Sequence, residues 1–239
     1  MSNLEIRRVH LPQAAEAQGV VIVIDVIRAF SVAAYAFSRG ARRLWLVRSV
    51  EDAFALRERE PEGLLAGEVG GRLIPGFDFN NSPSLMAAAD VDGRLLIQRT
   101  GAGTQGAVSA INATHLLICS LVNAQASAIY ARTLANTTEG LITLLPTYYN
   151  SHEVNEDSVC ADYLQALLKQ QDDATILLDK QIAQLEQAGR FDFLKNGDPD
   201  FPFDDIAAVL AIDRFDFVMV GTRKHWQGIP YVEVEKRIS

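Results

Sequence analysis

Several polar residues stand where this 239-residue chain leaves an apolar run, and their types suit the chemistry of anions and cations. Asp25 and Arg28 follow VVIVI. Glu68 closes LLAGE. Thr100, Gly103 and Thr104 belong to TGAGTQG. Asn123 follows ICSLV, and Glu156 and Asp157 lead into SVCADYL. A carboxylate at the end of an apolar run can hold a hard cation, act as a general base or cap the next helix. A guanidinium three residues later can pair with a carboxylate or grip an oxyanion through two N–H groups. The TGAGTQG stretch is either a plain strand-to-helix turn or a loop whose backbone N–H groups approach an anion; with no lysine after it, it is not a Walker loop. In GFDFNNSPS, Asn81 and Ser82 either offer an amide and a hydroxyl to a ligand, or simply enter a helix with Ser82 capping and Pro83 in the first turn. Glu156 and Asp157 are either first-turn acids or join Asp25 and Glu68 around a metal.

These groups need a scaffold that gathers them. Apolar runs at 20–25, 44–47, 64–66, 95–98, 116–119, 141–145 and 217–220 alternate with helical patterns at 29–38, 51–59, 104–111, 122–133, 156–169, 173–188 and 203–211. Such alternation predicts an α/β fold: a mostly parallel or mixed sheet between helices, three layers deep. Gly40 stands where a helix-terminating glycine belongs. Residues 67–83, rich in Gly, Pro, Asn and Asp, read as a long ordered loop. Ligands of open parallel sheets bind beyond the carboxyl ends of the strands, which is where the polar residues stand. The expectation is one domain over 1–239, or two closely packed lobes with the site between them.

The net charge of −8 falls entirely after residue 150, and there is no basic stripe, so nucleic acid is not an expected partner. No apolar run approaches the roughly 18 residues of a membrane span, and no leader is visible, so a cytoplasmic protein is expected. Cys119 and Cys160 lack zinc-ligand spacing and read as core residues. Of the four histidines, only His152 lies in a polar stretch before a helix, where it is a solvated loop residue or a general acid. A homodimer is the base-rate expectation.

Taken in order, the motifs resemble the 2-phosphosulfolactate phosphatase family. The resemblance rests on DVIRAF (25–30), Gly40-Ala41, LLAGE (64–68), GFDFNNSP (76–83), TGAGT (100–104), Asn123-Ala124 and EDSVCA (156–161). It implies a three-layer α/β/α fold and a Mg²⁺-dependent phosphoric monoester hydrolase of the coenzyme M pathway. The substrate would be a small anionic phospho-organic acid, with 2-phosphosulfolactate giving sulfolactate and phosphate. It places Asp25, Arg28, Asn81, Ser82, Thr100, Gly103, Thr104, Asn123, Glu156 and Asp157 in family motifs. Asp25 and Arg28 are then the catalytic candidates. Asp25, Glu68, Glu156 and Asp157 are expected at the metal. Asn81, Ser82, Thr100, Gly103, Thr104 and Asn123 are expected at the substrate, with Arg28 and the 100–104 loop holding an anionic group. The attacking group is either metal-bound water or a carboxylate such as Asp25. The chain departs from the family pattern at Val69, Asn80, Gly101, Ala102 and Gln105, positions suited to binding a dianion; Arg72 and Arg99 stand nearby in the sequence. Two other readings are an isochorismatase-like cysteine amidohydrolase using Cys119 and a relative that binds an anion without turnover. The first needs a lysine between Asp25 and Cys119, and the first lysine is Lys169. A haloacid-dehalogenase D-x-D is excluded by Ile27.

Overall fold

The computed structural model describes residues 4–148 and 154–238. In chain order the described elements are β1 (Glu5–Arg8), β2 (Gly19–Ile24), α1 (Ala29–Ser38), β3 (Arg43–Val47), α2 (Val50–Arg59), β4 (Leu64–Val69), β5 (Arg72–Leu73), α3 (Pro83–Met86), β6 (Leu95–Arg99), α4 (Gly103–Ser109), β7 (Ala113–Cys119), α5 (Ala124–Ala135), β8 (Leu141–Pro146), α6 (Glu156–Leu168), α7 (Ala174–Gln187), α8 (Asp205–Val209), β9 (Phe217–Trp226) and β10 (Ile229–Ile238). Short 3₁₀ turns cover Leu11–Glu16, Leu121–Asn123 and Asp192–Lys195.

All strands join one mixed sheet in the order β1-β8-β2-β7-β9-β10-β3-β6-β4-β5. β1, β8, β2 and β7 run parallel, as do β3, β6 and β4. Between the two sets lie three antiparallel junctions, β7/β9, β9/β10 and β10/β3, and an odd number of reversals makes the two parallel halves run in opposite senses. In a flat sheet their carboxyl ends would lie on opposite edges. Sheets twist by about 20–25° per strand, so the six steps from β2 to β4 turn the second half by roughly 120–150°. That twist brings the two sets of carboxyl ends back toward each other.

Side chains alternate between cores with the period of 2 that strands impose. Val21 and Val23 of β2 pack in an inner core with Leu44 and Leu46 of β3, Ile118 of β7, and the apolar residues of α1. Val20, Ile22 and Ile24 face a second core built from α5, α6 and α7. Trp45, Val47, Leu95 and Ile97 face a third, closed by Ala53 and Leu56 of α2. β2 is thus buried on both faces, which is why its sequence is continuously apolar rather than alternating. The result is the expected α/β/α layering.

Besides the edge strand β1, which has no apolar run to announce it, three features differ from the sequence expectation. The strand expected to stop at Val220 continues to Trp226 and returns as β10, because Gln227 (φ 47°) and Gly228 (φ 83°) form the two-residue turn with two positive φ angles that suits a twisted hairpin. Its outer residues are exposed and charged, which hid the apolar alternation. The 67–83 segment contains a small hairpin, with Glu68 opposite Leu73. The last expected helix shrinks to Asp205–Val209. Gly40 behaves as expected: it takes φ 90° just past α1, and the Ala41 N–H donates back to the Ala36 carbonyl.

Candidate active site

One cavity of about 400 Å³ opens where the carboxyl ends of both halves meet. Asp25 after β2, Glu68 in β4, Thr100, Gly101 and Ala102 after β6, and Tyr148 after β8 line it. Arg28, Gly71, Asn81, Glu156, Arg190, Phe193 and Phe201 complete its wall.

Asp25 caps the next helix and also lines the cavity. Its Oδ1 accepts the Ala29 N–H at 2.9 Å, satisfying the entry to α1, while the carboxylate lines the cavity. Burial pushes its pKa up to about 7; the Ala29 and Gly103 N–H groups oppose that shift, and the charges of Glu156 and Glu68 add to it. Gly103 is needed for this close approach, since a β-carbon there would sit 2.6 Å from Asp25 Oδ2. Glu68 is 8% exposed and accepts N–H groups from Gly71 and Gly101 at 2.6 Å each. Among the described residues neither Asp25 nor Glu68 has a cationic partner within ion-pair distance. No three His, Cys, Asp or Glu side chains among the described residues are grouped closely enough to form a ready-made metal cage.

Asp157 lies behind Asp25 and outside the cavity lining. Its Oδ1 accepts the Val26 N–H at 2.7 Å and its Oδ2 the Tyr148 N–H at 2.8 Å, so it ties the loop after β2 to the loop after β8. The Thr147 hydroxyl lies 3.2 Å from Asp157 Oδ2 and 3.4 Å from Asp25 Oδ2. Burial, followed by the charges of Asp25 and Glu156, holds the Asp157 carboxyl well above the usual carboxylate range.

Arg28 is a structural clasp rather than an open clamp. Its Nη1 donates to Asp205 Oδ2 at 3.0 Å and to the Asp200 carbonyl at 2.7 Å; its Nη2 donates to the Gly71 carbonyl at 3.0 Å. Phe201 covers one face, 4.8 Å from the guanidinium carbon. Asp205 also accepts from the Ser82 and Ser84 hydroxyls, so Ser82 turns away from the cavity while it caps α3 through the Leu85 N–H.

The remaining candidates divide in the same way. Thr100 lines the cavity, but Thr104 is fully buried; each hydroxyl accepts the other residue's N–H, which fixes the loop. Asn123 is fully buried in a reciprocal cap with Ser120. Asn81 lines the cavity at 5% exposure, and among the described residues its Oδ1 has no hydrogen-bond partner. That is the signature of a polar group kept for a ligand. Cys119 and Cys160 are fully buried outside the lining, and His152 lies outside the described residues. Arg72 and Arg99 do not line the cavity: Arg72 pairs with Asp198 and Asp200 on the surface, and Arg99 donates to the Glu68 carbonyl.

Two residues escaped the sequence reading. Asp205 lies 177 positions from its partner Arg28. Arg190 holds both oxygens of Glu156, at 2.7 and 3.0 Å, and its guanidinium carbon lies 4.4 Å from the Tyr148 ring centre. A local signal for Arg190 did exist. Gly189 (φ 73°) ends α7 with its N–H on the Glu186 carbonyl, and the Arg190 N–H donates to the Leu185 carbonyl. This paired helix stop fixes the chain direction at the residue after the glycine.

A sheet whose two halves deliver buried carboxylates, glycine-rich turns and an unpaired amide oxygen to one cavity defines an α/β protein with a polar strand-end cavity. The 2-phosphosulpholactate phosphatase family model matches residues 6–224, and the chain belongs to that family. It is 38% identical over 148 residues to a protein of Bacillus subtilis (strain 168), covering 62% of this chain and 63% of that one. It is 44% identical over 117 residues to one of Thermus thermophilus (48% of each chain), and 32% identical over 186 residues to one of Synechocystis (75% and 76%). Each of the three is named a probable 2-phosphosulfolactate phosphatase. The chain thus spans less than two thirds of the length of the first and about half of the second. No helix among the described residues is long and apolar enough to cross a membrane.

Proposed function

We propose that this chain is a Mg²⁺-dependent phosphoric monoester hydrolase that releases phosphate from a small phosphorylated organic acid, with 2-phosphosulfolactate giving sulfolactate as its reaction. The observation that carries the reading is the pairing state of the cavity's carboxylates. Arg28 answers Asp205 and Arg190 answers Glu156, while Asp25 and Glu68 face the cavity with no cationic side chain paired to them among the described residues. A phosphate dianion would not enter beside two uncompensated carboxylates. A divalent cation resolves that conflict, and the donor set fits one: Mg²⁺ commonly takes one or two carboxylates and completes its shell with water and substrate phosphate, without a dedicated protein cage. Asp25 and Glu68 would hold it, with Glu156 and Asp157 contributing negative charge around them. When bound, the cation supplies charge to the phosphoryl oxygens and a pathway to an activated water.

The chain's own residues do the rest. The Asn81 amide and the Thr100–Ala102 backbone orient the substrate on the cavity wall. The Ala29 and Gly103 N–H groups fix the Asp25 carboxylate, and Asp157 and Thr147 hold it from behind. The fully buried Cys119 makes the amidohydrolase reading unattractive.

Phosphate release from 2-phosphosulfolactate tests the proposal. The expected result is turnover that a chelator removes, that Mg²⁺ restores, and that falls about 10²- to 10³-fold in Asp25→Asn, the scale of losing a main electrostatic contributor. Turnover that is indifferent to the chelator would sink the metal assignment. Absence of turnover with tight binding of phosphate would favour the anion-binding relative.

A further inference from the structure

We infer that Arg190 is the specificity residue that binds the second anionic group of the substrate, the carboxylate or sulfonate carried beside the phosphate ester; this rests on the phosphatase reading above. An organic acid phosphate brings two charged ends into one cavity, and only one end can sit at Asp25 and Glu68. The other needs a cation on the wall. Among the described residues, Arg28 and Arg190 are the cations that line the cavity. Arg28 is 3% exposed at its side chain and is enclosed by Asp205, two carbonyls and Phe201, so a ligand would have to break a buried pair to reach it. Arg190 is 25% exposed at its side chain.

The surroundings of Arg190 suit the task. Glu156 takes two of the five N–H donors of the guanidinium and fixes its plane, and Tyr148 supports one face. A guanidinium held in that way presents its remaining donors with little rotamer entropy left to lose. The paired helix stop at Gly189 fixes the backbone beneath it. Asn81 lines the same cavity, and its buried amide oxygen has no partner among the described residues; as an acceptor it suits a polar ligand or its water, while Arg190 supplies the donors for the anion.

The test compares substrates that differ in the second anion. 2-Phosphosulfolactate, 2-phospholactate and isopropyl phosphate share the ester and carry, in turn, both acid groups, the carboxylate alone, and neither. In Arg190→Met, the ratio of kcat/KM for the acid-bearing esters to that for isopropyl phosphate is expected to fall about 10- to 100-fold, mainly through KM, the range for a lost charge-assisted hydrogen bond. Arg190→Lys should recover part of it, since it keeps the charge without the fork. A fall confined to 2-phosphosulfolactate assigns the sulfonate, and a fall for both acids assigns the carboxylate. Equal losses on all three esters, or no loss on any, would overturn the inference. Should the wild type turn over none of them, the phosphatase reading fails by itself, and calorimetric binding of sulfolactate decides this one: at least tenfold weaker binding in Arg190→Met upholds it, while equal binding, or none by the wild type, overturns it. If the methionine variant does not fold, the lysine variant carries the same comparison.

Discussion

Two arginine–carboxylate pairs border the same cavity, and they are built for different purposes. Arg28–Asp205 is sealed, with side-chain exposures of 3% and 0%. Asp205 collects Ser82 and Ser84 as well, and Arg28 collects the carbonyls of Asp200 and Gly71. The pair therefore stitches four distant stretches of chain together. Arg190–Glu156 buries the carboxylate to 2% and leaves the arginine at 25%. It makes a plane of donors rather than a knot. Sequence proximity misleads here: Arg28 stands three residues from Asp25 yet answers Asp205, and the arginine with an open side comes from the far end of α7. A buried pair tied to several stretches of chain serves the fold, while a half-open one keeps donors free for a ligand.

That contrast is open to breakage. The largest effect belongs to the sealed pair. Asp205→Ala strands a guanidinium in the interior and should destabilise the protein by about 3–5 kcal/mol, read from the midpoint of urea unfolding; a loss under 1 kcal/mol would show that Arg28 is not sealed. Next comes the unpaired corner. Mg²⁺ at 100 times its Kd should stabilise the wild type by about 2.7 kcal/mol, and the melting shift should vanish in Glu68→Gln. Without magnesium the sign of the Asp25 contribution is fixed by its raised pKa: the folded state holds a proton that the unfolded chain releases, so stability should fall as pH rises from about 4 towards 7 and level off beyond it. Asp25→Asn should flatten that slope, and an unchanged slope would assign it to other groups.

The open pair should behave differently from the sealed one. Arg190→Met removes an arginine whose side chain is 25% exposed and should cost about 1–3 kcal/mol in the same urea unfolding. A loss as large as that of Asp205→Ala would erase the distinction. The smallest effect is expected on the surface. Arg72→Ala removes pairs with Asp198 and Asp200 at 61% arginine exposure and should cost under about 1 kcal/mol, less again in high salt.

Much of the site was legible because its residues sit at strand ends, and strand ends are read from apolar runs. Asp25, Glu68 and Thr100 were picked out that way, Asn81 from the polar 76–84 loop and Glu156 from a helix start, and all five line the cavity. Ser82, Thr104, Asn123 and Asp157 were picked out by the same logic and stand behind it, as caps and ties. Sequence spacing places a residue near a turn but does not say which way its side chain faces. The β9–β10 hairpin was half hidden, since its exposed tip carries charges where a buried strand would carry valines.

By itself the sequence determined the layers, the family and the acidic strand ends, because apolar period, turn residues and short motifs are local properties that a chain carries before it folds. Tertiary structure alone decided that the two parallel halves run in opposite senses around a hairpin, that their carboxyl ends nevertheless meet, that Asp205 arrives from 177 residues away to claim Arg28, and that Arg190 arrives from 34 residues away to hold Glu156. The reason is physical: strand direction, accumulated twist and the partner of a buried charge depend on what packs against each element.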